Sequence, residues 1–186
     1  MFHSAFKFLL LLSFCAVLCS GEEDSVWLDV PFVKQEKNGC GAASIAMVIG
    51  YWQRQPTQSL QAPKSEQILR ELYAQEARGI YASDMENYFQ QHGFQTFAFA
   101  GEWSDLEQHL EKGRPLIVAL KPSRSAPLHY VVVAGLDSSQ ALVFTNDPAQ
   151  RKLLKQSLSD FERKWKAAAH WTLLAVPQAS ERSSAH

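Results

Sequence analysis

One thiol dominates the chemistry open to this sequence. In Val30 to Trp52, VPFVKQEKNGCGAASIAMVIGYW, Cys40 stands between Gly39 and Gly41 at the mouth of a run of small and apolar residues. The thiolate is the useful nucleophile, and a helix N-terminus or a neighbouring imidazolium lowers the pKa that controls it. Position supplies the first condition, because the apolar run predicts a helix that begins at or just after Cys40. The flanking glycines predict an opening through which a substrate backbone can approach the sulfur. An inert, buried cysteine would be expected among apolar neighbours, whereas Cys40 follows QEKNG.

A reactive thiol needs a base and the base needs an orienting partner. Of the six histidines, His3 lies in the N-terminal segment and His186 is the last residue. His92 precedes Gly93 at a predicted helix end, where it would satisfy carbonyls. His109, among Glu107, Gln108 and Glu111, reads as part of a solvated face. His170 opens the last predicted strand and is the weaker alternative.

His129 differs from these, because it opens the apolar run HYVVVAGL after the loop KPSRSAPL, which places its ring at a sheet edge. The competing reading of His129 is a satisfied core histidine. For the orienting group, TNDPA offers Asn146 and Asp147 after the next strand, and the residues alone leave both open. Asp147 is equally at home as the turn former of an Asn-Asp-Pro sequence. Gln35, five positions before Cys40, has an amide suited to an oxyanion, together with the Cys40 backbone N–H.

The elements that must position these groups follow from periodicity. Trp27 to Val33 reads as extended, limited by Pro31. The helix from Gly41 is apolar on nearly every side, which predicts a central place in the core. The loop QRQPTQSLQAP, Gln53 to Pro63, leads to a helix through Ile68, Leu69, Leu72 and Tyr73. Ser83 with Glu86, Ser104 with Glu107 and Ser159 with Glu162 each predict a capped helix start, while Gly93 and Gly113 predict stops.

Strands are predicted at Phe94 to Ala98, Pro115 to Leu120, His129 to Leu136, Ala141 to Thr145 and Trp171 to Val176. Short connections favour antiparallel neighbours. The DSSQ turn should therefore bring Asp147 to the His129 end of the sheet. The expected class is α+β, an N-terminal helical half followed by a C-terminal antiparallel sheet.

Size and charge exclude several functions. The 186 residues suit one domain, and a net charge of -1 offers no basic field for nucleic acid. Lys7 followed by Phe8 to Leu18 (FLLLLSFCAVL) reads as an export signal, because the run falls short of the roughly 20 residues of a membrane span. Residues 1–21 are thus expected to be a signal, 22–177 the domain and 178–186 a disordered tail. Cleavage near Gly21 removes Cys15 and Cys19 and leaves Cys40 without a disulfide partner; a lipid anchor on Cys19 is the less favoured alternative. No cysteine and histidine spacing suggests zinc, and no cofactor is expected.

Gln, then Cys at a helix start, then His at a strand start, then an acid after the next strand is an arrangement that resembles the papain-like cysteine peptidases. VPFVKQEKNGCGAAS, HYVVVAGLD and NDPA resemble more closely the bacteriocin-leader-processing peptidases and their stand-alone relatives, and the likeness runs from about Leu28 to Pro177. It implies a papain-like fold, with Cys40 as nucleophile and His129 as general base. It further implies Asp147, not Asn146, as the orienting acid and Gln35 as oxyanion donor.

The Gln-to-Cys interval is one residue shorter than in many papain-like enzymes. Leader-processing relatives are fused to transporter segments that this sequence does not show, so a substrate other than a double-glycine leader is expected. The function implied is hydrolysis of a peptide or protein substrate. An acyltransferase using the same site and an inert peptide-binding module are the rivals. The loops Gln53 to Pro63 and Lys121 to Leu128 are expected to flank the groove, with Trp52 and Trp103 as walls.

Overall fold

The two continuous apolar runs of the sequence become central strands because both of their faces are covered. The computed structural model describes residues 25–56, 61–123 and 125–178. In chain order, β1 (Ser25–Trp27) precedes α1 (Cys40–Gln53), α2 (Ser65–Leu72) and α3 (Ala82–Gln91). Next come β2 (Phe94–Ala100), α4 (Trp103–Glu111), β3 (Leu116–Leu120), β4 (His129–Asp137) and β5 (Leu142–Asn146). The described chain closes with β6 (Leu154–Ser157), α5 (Leu158–Lys166) and β7 (Trp171–Pro177).

The strands form one antiparallel sheet in the order β2-β7-β3-β4-β5-β6, with β1 paired to β4. Alternation sorts the side chains of β3 and β4. Ile117, Ala119, Tyr130 and Val132 meet α1 and α3, whereas Leu116, Val118, Val131 and Val133 meet α4 and α5. Each fully buried aliphatic or Phe side chain contributes about 1.5–3 kcal/mol. These two sets therefore hold the sheet between its helical layers. The α+β expectation stands, with one refinement: β2, from the helical half, joins the sheet by pairing with β7 along its whole length.

The helix starts are shifted from the serine signals. The N-caps are Tyr81, Glu102 and Ser157, each two residues before the serine that the sequence singles out. Glu102 and Asp105 make the reciprocal cap of α4, and Ser157 accepts from the Asp160 N–H. β6, an edge strand of alternating burial, is an element the periodicity did not indicate.

Gln178 still donates its N–H to Gly93 O at 2.8 Å, so the chain is tethered one residue into the expected tail. The export signal, Cys15, Cys19 and the rest of the tail lie outside the described residues. Among the described residues, no helix is long and apolar enough to cross a membrane, and no group of His, Cys, Asp and Glu could hold a metal ion.

Candidate active site

Cys40 is the first residue of α1, and its N-cap, Gly39, offers no side-chain acceptor. The first-turn N–H groups and the positive end of the helix dipole therefore remain available to an anion there. Residues Gly41 to Tyr51 are all buried, so α1 is fixed from every side and its partly exposed first residue inherits that rigidity. The glycines serve this packing. A Cβ on Gly41 would meet Ile80 and Met85, and one on Gly39 would meet the Glu36 backbone and Leu69. They do not form the substrate opening expected from the sequence.

His129 begins β4 opposite Leu120. The β4–β5 hairpin runs Asn146 alongside Val132, so the next residue, Asp147, arrives at the His129 end. The two side chains meet: His129 Nε2 lies 2.8 Å from Asp147 Oδ1. That contact leaves Nδ1 as the ring nitrogen available to Cys40, whose sulfur is close enough to stabilise a charged ring.

Asp147 is itself held in place. Its Oδ1 accepts the Ala149 N–H at 2.9 Å and its Oδ2 accepts Gln150 Nε2 at 2.6 Å. Asp147 and His129 thus form one hydrogen-bonded pair, with the Cys40 sulfur beside the ring. Asn146 is turned the other way. It is fully buried, donates to Val30 O at 3.0 Å and accepts the Leu153 N–H at 2.9 Å. It staples the segment before Cys40 to the end of β5, and of the two neighbours it is Asp147 that contacts His129.

The charges of Cys40, His129 and Asp147 reinforce one another. Burial alone would push the Cys40 thiol up, but hydrogen bonds from His129 and from the backbone N–H groups of Tyr130 and Gly41 outweigh it and hold the thiol below its ordinary range. Burial likewise disfavours a charged His129, yet the Asp147 carboxylate and the Cys40 sulfur raise the imidazole to about 9. Asp147, against the effect of its own burial, is kept below the usual carboxylate range chiefly by His129. Between the two limits the stable form is thiolate, imidazolium and carboxylate. Asp147→Asn should therefore move the alkaline fall of turnover from near pH 9 to lower pH, as a pH profile of kcat/KM would register.

The other sequence candidates are placed as follows. Gln35 is tied by its N–H to Pro148 O at 3.0 Å, just beyond Asp147, and its Oε1 is buried without a partner. The unpaired atom is an acceptor, so an oxyanion role for Gln35 would fall to its Nε2–H, on the segment leading to Cys40. His170 is bonded to Glu162 at 2.7 Å and packs on Trp165, in a cluster away from Cys40. His92 caps α3 as expected, its Nδ1 2.7 Å from Tyr88 O. His109 is not on a solvated face: its Nδ1 is buried without a partner, and burial pushes the ring below its usual range.

The expected groove walls need correcting. Trp52 lies near the far end of α1 and donates to Ala175 O, and Trp103 bonds Glu107 on the opposite face of the sheet. Gln53, Arg54, Ala62 and Pro63, from the described ends of the expected loop, border a separate cavity with Pro31 and Gly50. The cavity at Cys40, about 390 Å³, is lined instead by Arg78, Ile80, Tyr81, Pro127, Leu128 and Tyr130 among others, so the end of the Lys121 to Leu128 loop does flank it. Gln150, three positions after Asp147 in a turn, is a supporting residue that the sequence reading missed; an Asp and a Gln at that spacing were its only signal.

A model of the Peptidase_C39 like family matches residues 27–172. Among solved structures, a peptidase from Bacillus anthracis likened to the same family has a TM-score of 0.66 at 16% identity, covering 83% of this chain and 98% of that one. A double-glycine-motif protease from an AMS/PCAT transporter, in complex with leader peptide, has a TM-score of 0.63 at 22% identity, covering 82% and 95%. The peptidase domain of Streptococcus ComA, a bifunctional ABC transporter of a quorum-sensing pathway, has a TM-score of 0.62 at 20% identity, covering 80% and 98%. No curated protein matches the chain. The shared architecture is the papain-like α+β fold.

Proposed function

The chain belongs to the Peptidase_C39 like family and is a cysteine peptidase, and from that premise we propose that Cys40, His129 and Asp147 hydrolyse peptide bonds through a thioester. The observation that carries this reading is the line Asp147–His129–Cys40, which ends at the uncapped start of a rigid helix. The Cys40 thiolate adds to the scissile carbonyl carbon. The Cys40 backbone N–H and the Gln35 amide receive the developing oxyanion.

His129 passes its proton to the departing amine, which leaves an acyl thioester on Cys40. Water, losing a proton to the same imidazole, then displaces the thiolate and frees the acid. Asp147 fixes the ring so that the nitrogen facing sulfur is the one that exchanges protons.

The substrate on this reading is a peptide or protein segment. The leader peptide in complex with the similar transporter-associated protease supports a peptide ligand for this fold. The apolar run from Phe8 to Leu18 supports action outside the cytoplasm.

Two pH profiles test the proposal. Iodoacetamide labelling of Cys40, located by mass spectrometry, needs only thiolate; its rate should rise below the ordinary thiol range and then stay level. Peptide hydrolysis also needs the His129 proton, so it should rise over the same interval and fall as pH passes about 9. A Cys40 that titrates as an ordinary thiol would favour the inert peptide-binding module and overturn the reading.

A further inference from the structure

The cavity at Cys40 carries one permanently charged side chain. Arg78 lines it together with apolar and aromatic groups. A second cavity of about 400 Å³, lined by Ala98, Ala100, Ala119 and Trp171 among others, shares Ala82, Leu128 and Tyr130 with the first and has no charged lining residue. The two cavities are therefore neighbours. Arg78 forms no ion pair among the described residues.

The backbone fixes where Arg78 stands. Gln75 to Arg78 is a tight turn closed by the Ala74–Gly79 bridge, with Ala74 N–H on Gly79 O at 2.8 Å and Arg78 N–H on Gln75 O at 3.2 Å. Arg78 occupies the left-handed position of that turn, at φ 50. Glycine is the easy residue there, and any side chain strains it. Asn38, Ala141, Leu153, Ala169 and His170 share this backbone region, so what distinguishes Arg78 is its charge at the rim of the Cys40 cavity.

We propose that Arg78 is a specificity-determining residue that binds a carboxylate of the peptide substrate within about three residues of the scissile bond, the reach of one arginine along an extended chain. The inference rests on the peptidase reading of Cys40. The guanidinium fork matches a carboxylate bidentately, and the lining of the two neighbouring cavities contains no anion except the thiolate itself. The carboxylate comes from an acidic side chain or from a free C-terminus.

The test uses matched peptides carrying Glu, Gln or Lys at each of three positions on either side of the cleaved bond, each with free and amidated C-termini. For the full chain, kcat/KM should favour Glu over Gln by about three- to fivefold at one position, or the free over the amidated end by the same factor, and the ratio should shrink at high salt. Arg78→Gln should bring the ratio to one, and Arg78→Glu should turn the preference to Lys. Arg78→Gly should also erase it while raising Tm by about 1–4 °C, because the strained position is relieved.

Cleavage with a Glu-to-Gln ratio of one at every position and no end preference would overturn the role of Arg78 and leave the peptidase reading intact. A preference that survives Arg78→Glu would do the same. Absence of any cleavage, with an unreactive Cys40, would remove both.

Discussion

Cys40→Ala is expected to remove peptide hydrolysis, with kcat/KM falling by at least about four orders of magnitude, or roughly 5 kcal/mol of transition-state stabilisation. The thioester route has no substitute for sulfur: among the described residues, Cys40 is the one free cysteine. The change should not disturb the fold. Cys40 is partly exposed at the first position of α1, and alanine is the best helix former. A loss of activity at nearly unchanged Tm is therefore the expected pair of results. Unaltered turnover in this variant, on a peptide that the parent enzyme cleaves, would end the account of Cys40 as nucleophile.

His129→Ala should cost nearly as much, about three orders of magnitude or more, for two separable reasons. The first is thiolate supply. The imidazolium opposes a burial that by itself pushes the Cys40 thiol up. Without it, burial is opposed only by the backbone N–H groups of Tyr130 and Gly41, and thiolate becomes scarcer near neutral pH. The second is the missing proton for the leaving amine, worth about 10²–10⁴. Alkylation of Cys40 at pH 7 reads the first effect alone and should slow by about ten- to a hundredfold. If labelling keeps its parental pH dependence while hydrolysis is lost, His129 acts only in proton transfer, and the thiolate–imidazolium pair is wrong.

Most of the line could be read from sequence because each member sits at the terminus of a strongly patterned element. Cys40 heads the helix whose apolar residues recur on every side, and His129 and Asp147 stand at the matching ends of two strands joined by a short turn. The choice between Asn146 and Asp147 could not be read from local composition. It is decided by which neighbour faces the buried Val30 carbonyl, a contact across the fold. Trp52 and Trp103 misled because indole rings suit a groove and a core equally well. Each instead satisfies its N–H with a partner away from Cys40.

Local signals with several equivalent solutions were also weak. A serine and a glutamate three apart occur near three helix starts, yet the chain caps two residues earlier each time, where Glu102 and Ser157 find better-placed backbone donors. β6 was missed because an edge strand of four residues with one exposed side has little apolar period to detect. Arg78 was not singled out because a lone arginine beside a glycine gives no sequence sign of what surrounds it. Its neighbours at the cavity come from the distant Pro127 to Tyr130 segment.

The staple from Asn146 to Val30, and the bond from Gln35 to Pro148, couple the segment bearing the thiol to a hairpin made much later in the chain. Such distant pairings form only when nearly the whole polypeptide has condensed. Competence therefore arrives all at once rather than by degrees, and a partly collapsed molecule has an ordinary, sluggish cysteine. The fraction of molecules that react quickly with a chromogenic disulfide in mildly acidic buffer is then a direct census of native copies in any preparation.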